Sequence, residues 1–184
     1  MLKFVRAAAL ASATLLMAHG AYAETVIKSV MHSPLRLTDP HATTAYITTW
    51  HGYMIYDTLL ATDADNKIQP QMLEKWDVSA DGKTYTMTLR PGQKWHDGKP
   101  VTAEDCVASI KRWAAGDGMG RTLLKFTDKI EVIDDNSFRI VMKEPTDLAL
   151  RALSKPTGTA PFMMPKRCLL YTSDAADDMQ CGDL

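Results

Sequence analysis

Apolar and polar residues alternate most regularly in two stretches of the chain. In WDVSADGKTYTMTLR, Trp76 and Val78 precede Asp81-Gly82, and Tyr85, Met87 and Leu89 then alternate with Thr84, Thr86 and Thr88. A period of two sends the apolar set to one face of a strand and the threonines to the other, and Asp-Gly between two such runs predicts a hairpin. A second hairpin follows the same logic: Ile130, Val132 and Ile133 lead into Asp134-Asp135-Asn136, and Phe138, Ile140 and Met142 alternate beyond it. Near the start, Thr25 to Val30 is a β-branched run that reads as a strand, followed at once by the turn-rich HSPLRLTDP.

Helical spacing fills the gaps. From Thr43 to Leu60, the residues Tyr46, Ile47, Trp50, Tyr53, Met54 and Leu60 fall mostly at three- and four-residue steps. This predicts an amphipathic helix running into a short strand, with Trp50 and Tyr53 in the core, as Trp95 and Trp113 are elsewhere. KWHDGKPVTAEDCVASIKRW holds a tight turn at His96-Asp97-Gly98 and then a helix start. Thr102 is its N-cap and Asp105 its third residue, a variant of the capping box, with Val107, Ile110 and Ala114 as the buried stripe. The glycines of AAGDGMG are expected to end that helix in a loop. Gly116, Gly118 and Gly120 lack the preceding strand and following helix start of a phosphate-binding fingerprint, so no nucleotide site is expected there. A helical piece from Asp147 to Ser154 precedes a break at Lys155-Pro156-Thr157-Gly158. Hairpins interleaved with helices define an α+β arrangement rather than a regular βαβ repeat.

The two ends carry patterns of another kind. MLKFVRAAALASATLLMAHGAYAET has Lys3 and Arg6, a small apolar run and then Ala21-Tyr22-Ala23. That is a signal peptide, residues 1–23, and implies export to the periplasm. The last stretch, residues 168–184, holds Cys168 and Cys181 and four aspartates but no lysine or arginine. CLLYTSDAAD back-translates to TGT CTC TTA TAC ACA TCT GAC GCT GCC GAC, similar to a transposase mosaic-end adapter, so this tail is read as a sequencing scar. The body is then residues 24–167, with Cys106 as its single cysteine, a small buried residue within a helix.

Charge and chemistry narrow the classes further. With 21 Lys and Arg against 22 Asp and Glu, the chain has no basic field for nucleic acid. His32, His41, His51 and His96 form no i,i+4 pair and no HExxH or Cys/His cluster, so neither a metal site nor a cofactor is expected. His96 beside Asp97 is the one pairing suited to a catalytic base, and an exported hydrolase using both is the enzyme alternative. No nucleophile motif accompanies them, and turn residues bonding their own backbone account for the pair, so no catalytic residue is assigned.

The run from Trp76 to Trp113 resembles the solute-binding family 5 of ABC transporters, the extracytoplasmic peptide and nickel binders. Asp81-Gly82-Lys83-Thr84-Tyr85, Leu89-Arg90, His96-Asp97-Gly98 and Thr102-Ala103-Glu104-Asp105 all stand where that pattern has them, and one departure is Cys106, where the family usually has valine. The resemblance covers Glu24 to Arg167. It implies the N-terminal part of a bilobed, type II-like periplasmic binding protein, truncated, which encloses a ligand between lobes and presents it to membrane permease subunits. It implies a peptide as ligand, with nickel, a metal chelate or another small solute as the alternative, and a monomer when complete. Ligand contacts are expected after the first strand (His32, Ser33, Leu35), after the RW helix (Gly118, Met119) and after the next helix (Thr157, Gly158, Thr159).

Overall fold

The structure is a computed structural model, in which residues 28–169 are described. The expected signal peptide and nearly all of the expected tail lie outside that range. The chain divides into a first unit, Met1–Met31, and a second, His32–Leu184. In the first, Lys28–Val30 has no regular structure and Val30 is 95% exposed. The expected strand is therefore absent from its described half. β-Branched side chains favour a strand only where a pleated, half-buried surface receives them, and Val30 has none.

The second unit begins with α1, Tyr46–Ile55. After it come β1 (Asp57–Thr58), β2 (Leu60–Thr62), β3 (Ile68–Pro70), β4 (Leu73–Val78) and β5 (Thr84–Leu89). Two helices follow back to back, α2 (Ala103–Gly116) and α3 (Gly118–Phe126), then β6 (Thr127–Asp134), β7 (Ser137–Met142), α4 (Leu148–Leu153), β8 (Phe162–Met163) and α5 (Lys166–Leu169).

Both predicted hairpins form and lie side by side in a four-stranded antiparallel sheet, in the order β4-β5-β7-β6. Tyr85, Met87, Leu89, Phe138, Ile140 and Met142 are buried on one face, where they join Ile110, Trp113 and Leu123 in the core. The threonines of β5 line the other face beside Arg139 and Val141. Gly82 has φ 69° in the first turn, a conformation that costs glycine nothing.

The helix start at Thr102 is as the sequence predicts. Thr102 Oγ1 accepts from Asp105 N at 3.3 Å, and Thr102 N donates back to Asp105 Oδ2 at 3.0 Å. That carboxylate also accepts from Trp95 Nε1 and Lys166 N, tying turn, helix and the end of the described chain together. Cys106 is fully buried, and burial pushes its thiol far above the ordinary range.

Two expectations fail in this unit. The AAGDGMG stretch is not a loop: α2 runs to Gly116, and α3 starts at Gly118 with Asp117 as its N-cap. Asp117 Oδ1 accepts from Met119 N at 2.8 Å and Gly120 N at 3.1 Å, so the glycines sit in a capped helix junction. A helix therefore precedes these glycines, and a carboxylate already occupies the amides a phosphate would need. The second failure concerns α1. Its buried residues are Ile47, Thr48, Thr49 and Gly52, whereas Tyr46, Trp50, Tyr53 and Met54 are 63%, 50%, 44% and 70% exposed. Thr48 Oγ1 donates to Leu37 O at 2.8 Å, and Gly52 admits the Phe162 ring to 2.9 Å from where a Cβ would sit. Small residues with satisfied hydroxyls let this helix dock closely, and its aromatic face is left in solvent.

Candidate ligand-binding face

The chain between α4 and α5 is held by side chains from elsewhere. Pro156 O accepts from Tyr53 Oη at 2.8 Å, Gly158 O from Thr49 Oγ1 at 3.1 Å, and Thr159 O from Trp113 Nε1 at 2.7 Å. Further along, Phe162 O bonds His41 Nε2 at 3.0 Å, and Ser109 Oγ bonds both Met164 O and Met164 N at 2.9 Å. Residues 159–165 are all buried, yet only β8 within them joins a strand, pairing with β1. Buried backbone groups need partners, and here α1, α2 and the loop before α1 supply them in place of a sheet.

That preceding loop is itself fixed. The Arg112 guanidinium grips the Asp39 carboxylate with both Nη atoms, one bond measuring 2.9 Å, and Asp39 Oδ1 accepts from His41 N. Burial works to raise the Asp39 carboxyl, but the bond to Arg112 prevails and holds it below its ordinary value. For His41, burial and then the nearby Arg112 charge lower the imidazole to about 4. Because a carbonyl only accepts, His41 Nε2 carries the hydrogen; Nδ1 is buried with no hydrogen-bond partner among the described residues.

The three expected ligand segments meet around this framework. His32 lies edge-on to Trp50 of α1, with centroids 5.0 Å apart, and Trp50 lies 6.4 Å from Tyr46. Ser33 is half-buried and Leu35 is 38% exposed. Thr157 is exposed beside the pinned Pro156, and Gly158 turns with φ 68°. Thr159 is buried, with its carbonyl committed to Trp113. Gly118 is exposed and Met119 half-buried at the start of α3. They are coupled to the 155–159 loop because Lys155 Nζ bonds Asp117 Oδ2 at 2.5 Å. The Asp117 carboxyl, despite burial, is held below its ordinary value by that ammonium.

Sequence reasoning missed the most exposed part of this face, the row Tyr46, Trp50, Tyr53 and Met54. The available signal was the opposite side of α1, where Thr48, Thr49 and Gly52 form a narrow face of small residues suited to close approach. Lys155 and Asp117 were also missed, since nothing local marks two residues 38 positions apart as partners.

The His96 and Asp97 side chains are not hydrogen-bonded to each other among the described residues. Asp97 accepts from Lys99 N at 3.1 Å and pairs with Arg167 at 2.6 Å, while His96 is exposed. Also among the described residues, no group of three or more His, Cys, Asp and Glu could hold a metal ion, and no helix is long and apolar enough to cross a membrane.

The described residues thus form an α+β scaffold with an exposed aromatic face beside a connector pinned by side chains. The chain belongs to the bacterial extracellular solute-binding proteins, family 5, whose middle-region model matches residues 67–178. That match runs past Arg167 into the stretch set apart above as a tail. A probable peptide ABC transporter periplasmic-binding protein of Sinorhizobium fredii is 46% identical over 138 residues, 75% of this chain and 26% of the relative. The glutathione-binding protein GsiB of Salmonella typhi is 30% identical over 151 residues, 81% of this chain and 30% of the relative. Among solved structures, AgaA of A. tumefaciens R10 in complex with agropinic acid superposes with a TM-score of 0.64 at 26% identity, covering 76% of this chain and 28% of that one. Haemophilus influenzae OppA in complex with RPPGFSPFR gives 0.62 at 26% identity, over 74% and 30%. The expected fold class thus stands, and the chain spans 26% and 30% of the length of the two curated relatives named above. Members of this family are solute-binding proteins of ABC importers, working outside the cytoplasm.

Proposed function

We propose that the chain is the N-terminal part of the substrate-binding component of an ABC importer. It holds a peptide between two lobes and delivers it to permease subunits in the membrane. The observation that carries this reading is the exposed aromatic row of α1, whose Trp50 meets His32 and whose Tyr53 holds Pro156 O, in a chain 46% identical to a probable peptide ABC transporter's periplasmic-binding protein. Aromatic rings left in solvent beside backbone-rich loops suit a peptide, which offers both apolar side chains and hydrogen-bonding groups. Residues 1–23 are the export signal, and residues 168–184 are foreign to the protein. His96 and Asp97 are scaffold, with no catalytic role.

Calorimetry on the complete protein, its reading frame recovered from genomic DNA beyond codon 167, tests this. Tripeptides are expected to bind at micromolar concentration or below, while nickel with histidine and agropinic acid do not. Binding of either of those alone would replace peptide with another solute of the same family's range. Peptide bond cleavage lost in His96→Ala would establish the enzyme instead. Genomic codons that continue into CLLYTSDAADDMQCGDL would restore the tail as native, and an exported protein beginning before Glu24 would move the signal boundary.

A further inference from the structure

A cavity of about 470 Å³ opens beside the 155–159 loop, on which Met119, Lys155 and Pro156 converge with Ile68, Arg151 and Ser154. Its size is within the range of small-ligand pockets. Met119 and Pro156 come from two segments bound together by the pair of Lys155 and Asp117, whose own side chains are only 22% and 8% exposed, so this ion pair sets the spacing of two cavity walls. The Asp117 end is doubly fixed, since the same carboxylate caps α3 through Met119 N and Gly120 N. The charges that line the cavity are already paired: Lys155 with Asp117, and Arg151 with Asp147 at 2.6 Å. The Thr62 hydroxyl is likewise committed, to Ser154 O at 3.2 Å.

We infer that this cavity is a subsite for one uncharged, apolar side chain of the bound peptide, with Lys155 as the positioning residue that sets its width. The inference rests on the peptide-binding reading above. An ionised side chain in the cavity would find only charges already paired and would face the apolar Met119, Ile68 and Pro156, so the subsite selects against it. Met119, Ile68 and Pro156 offer the apolar contacts that a leucine side chain would gain.

The test uses the complete protein and calorimetry with Ala-Ala-Ala and with peptides carrying one Leu, Glu or Lys at each position in turn. At one position Leu should bind about tenfold tighter than Glu and Lys. Ile68→Trp, which fills the cavity from a wall outside the expected ligand segments, should abolish that preference while Ala-Ala-Ala affinity stays the same. Lys155→Met should narrow the preference and Lys155→Arg restore it, with thermal unfolding confirming that each variant is folded. Should Ile68→Trp fail to fold, Ile68→Phe fills part of the cavity and should reduce the preference. If peptides bind but these variants change every affinity by one common factor, or Glu or Lys is preferred at every position, the subsite is refuted and the peptide-binding reading stands. If no peptide binds the unaltered protein, the reading falls and the subsite with it.

Discussion

Acidification should loosen the connector through His41. The buried imidazole titrates at about 4 instead of its ordinary 6.5, for two reasons: burial penalises the cation, and Arg112 lies beside it. A histidine whose folded pKa is depressed stabilises the fold fully above 6.5 and loses that contribution as pH falls, because the unfolded chain takes up a proton that the folded one refuses. With this window, stability falls by about 2 kcal/mol between pH 7 and 5, and by about 3 kcal/mol once pH is below 4. Asp39 works in the same direction but at lower pH, since its carboxyl is held below its ordinary 3.8. Protonated, His41 would place a second cation near Arg112, with only Asp39 and the Phe162 carbonyl to answer it. Urea unfolding of the complete protein, followed by tryptophan fluorescence at half-unit steps from pH 7 to 4.5, reads this directly. His41→Gln keeps a donor for Phe162 O and cannot titrate, so its stability should fall by about 2 kcal/mol less over the range. Parallel pH curves for the two proteins would refute the reasoning.

Other residues give sharper structural tests. Gly120 sits against α2 so closely that an added Cβ would meet Ala114 Cβ at 3.0 Å and press on its backbone. Gly120→Ala should force the helices apart and cost about 1–3 kcal/mol in a denaturant titration. Asp105→Ala removes the capping box and leaves Trp95 Nε1 and Lys166 N without an acceptor, so a loss of about 2–4 kcal/mol is expected from the same measurement. Phe138→Ala empties a fully buried site in the sheet and should cost about 3–5 kcal/mol. Trp50→Ala acts the other way round: with its ring half in solvent it should change stability by less than about 0.5 kcal/mol yet weaken peptide binding, by calorimetry, several-fold.

How much of this could be read in advance depends on whether local pattern and tertiary packing agree. The two hairpins and the Thr102 cap were legible because alternation, Asp-Gly and a Thr-x-x-Asp spacing each act over a few residues, and the packed sheet then rewards the same choice. For α1 the two levels part. Its periodicity is right, but hydrophobicity names Tyr46, Ile47, Trp50, Tyr53 and Met54 as the buried face, whereas the structure buries Ile47 with Thr48, Thr49 and Gly52 and leaves the other four exposed. Helix docking against a backbone segment favours the face that comes nearest and can hydrogen-bond. Thr49 reaches Gly158 O, and Gly52, lacking a Cβ, lets the Phe162 ring come closer than any larger residue there would allow.

The same distinction explains the glycines after α2. Read alone, three in five residues announce a loop. Yet Asp117 can cap the next helix, and Gly120 makes room for Ala114, so the composition that breaks one helix lets a second begin against it. The candidate face inherits this logic. Its expected segments were recognisable in chain order, but what joins them is non-local: Lys155 to Asp117, Tyr53 to Pro156 and Trp113 to Thr159. A connector whose carbonyls are satisfied by scattered side chains leaves no periodic trace in its own residues. Its register is set by those side chains one at a time, so it is the part of the face where single substitutions should move ligand contacts most.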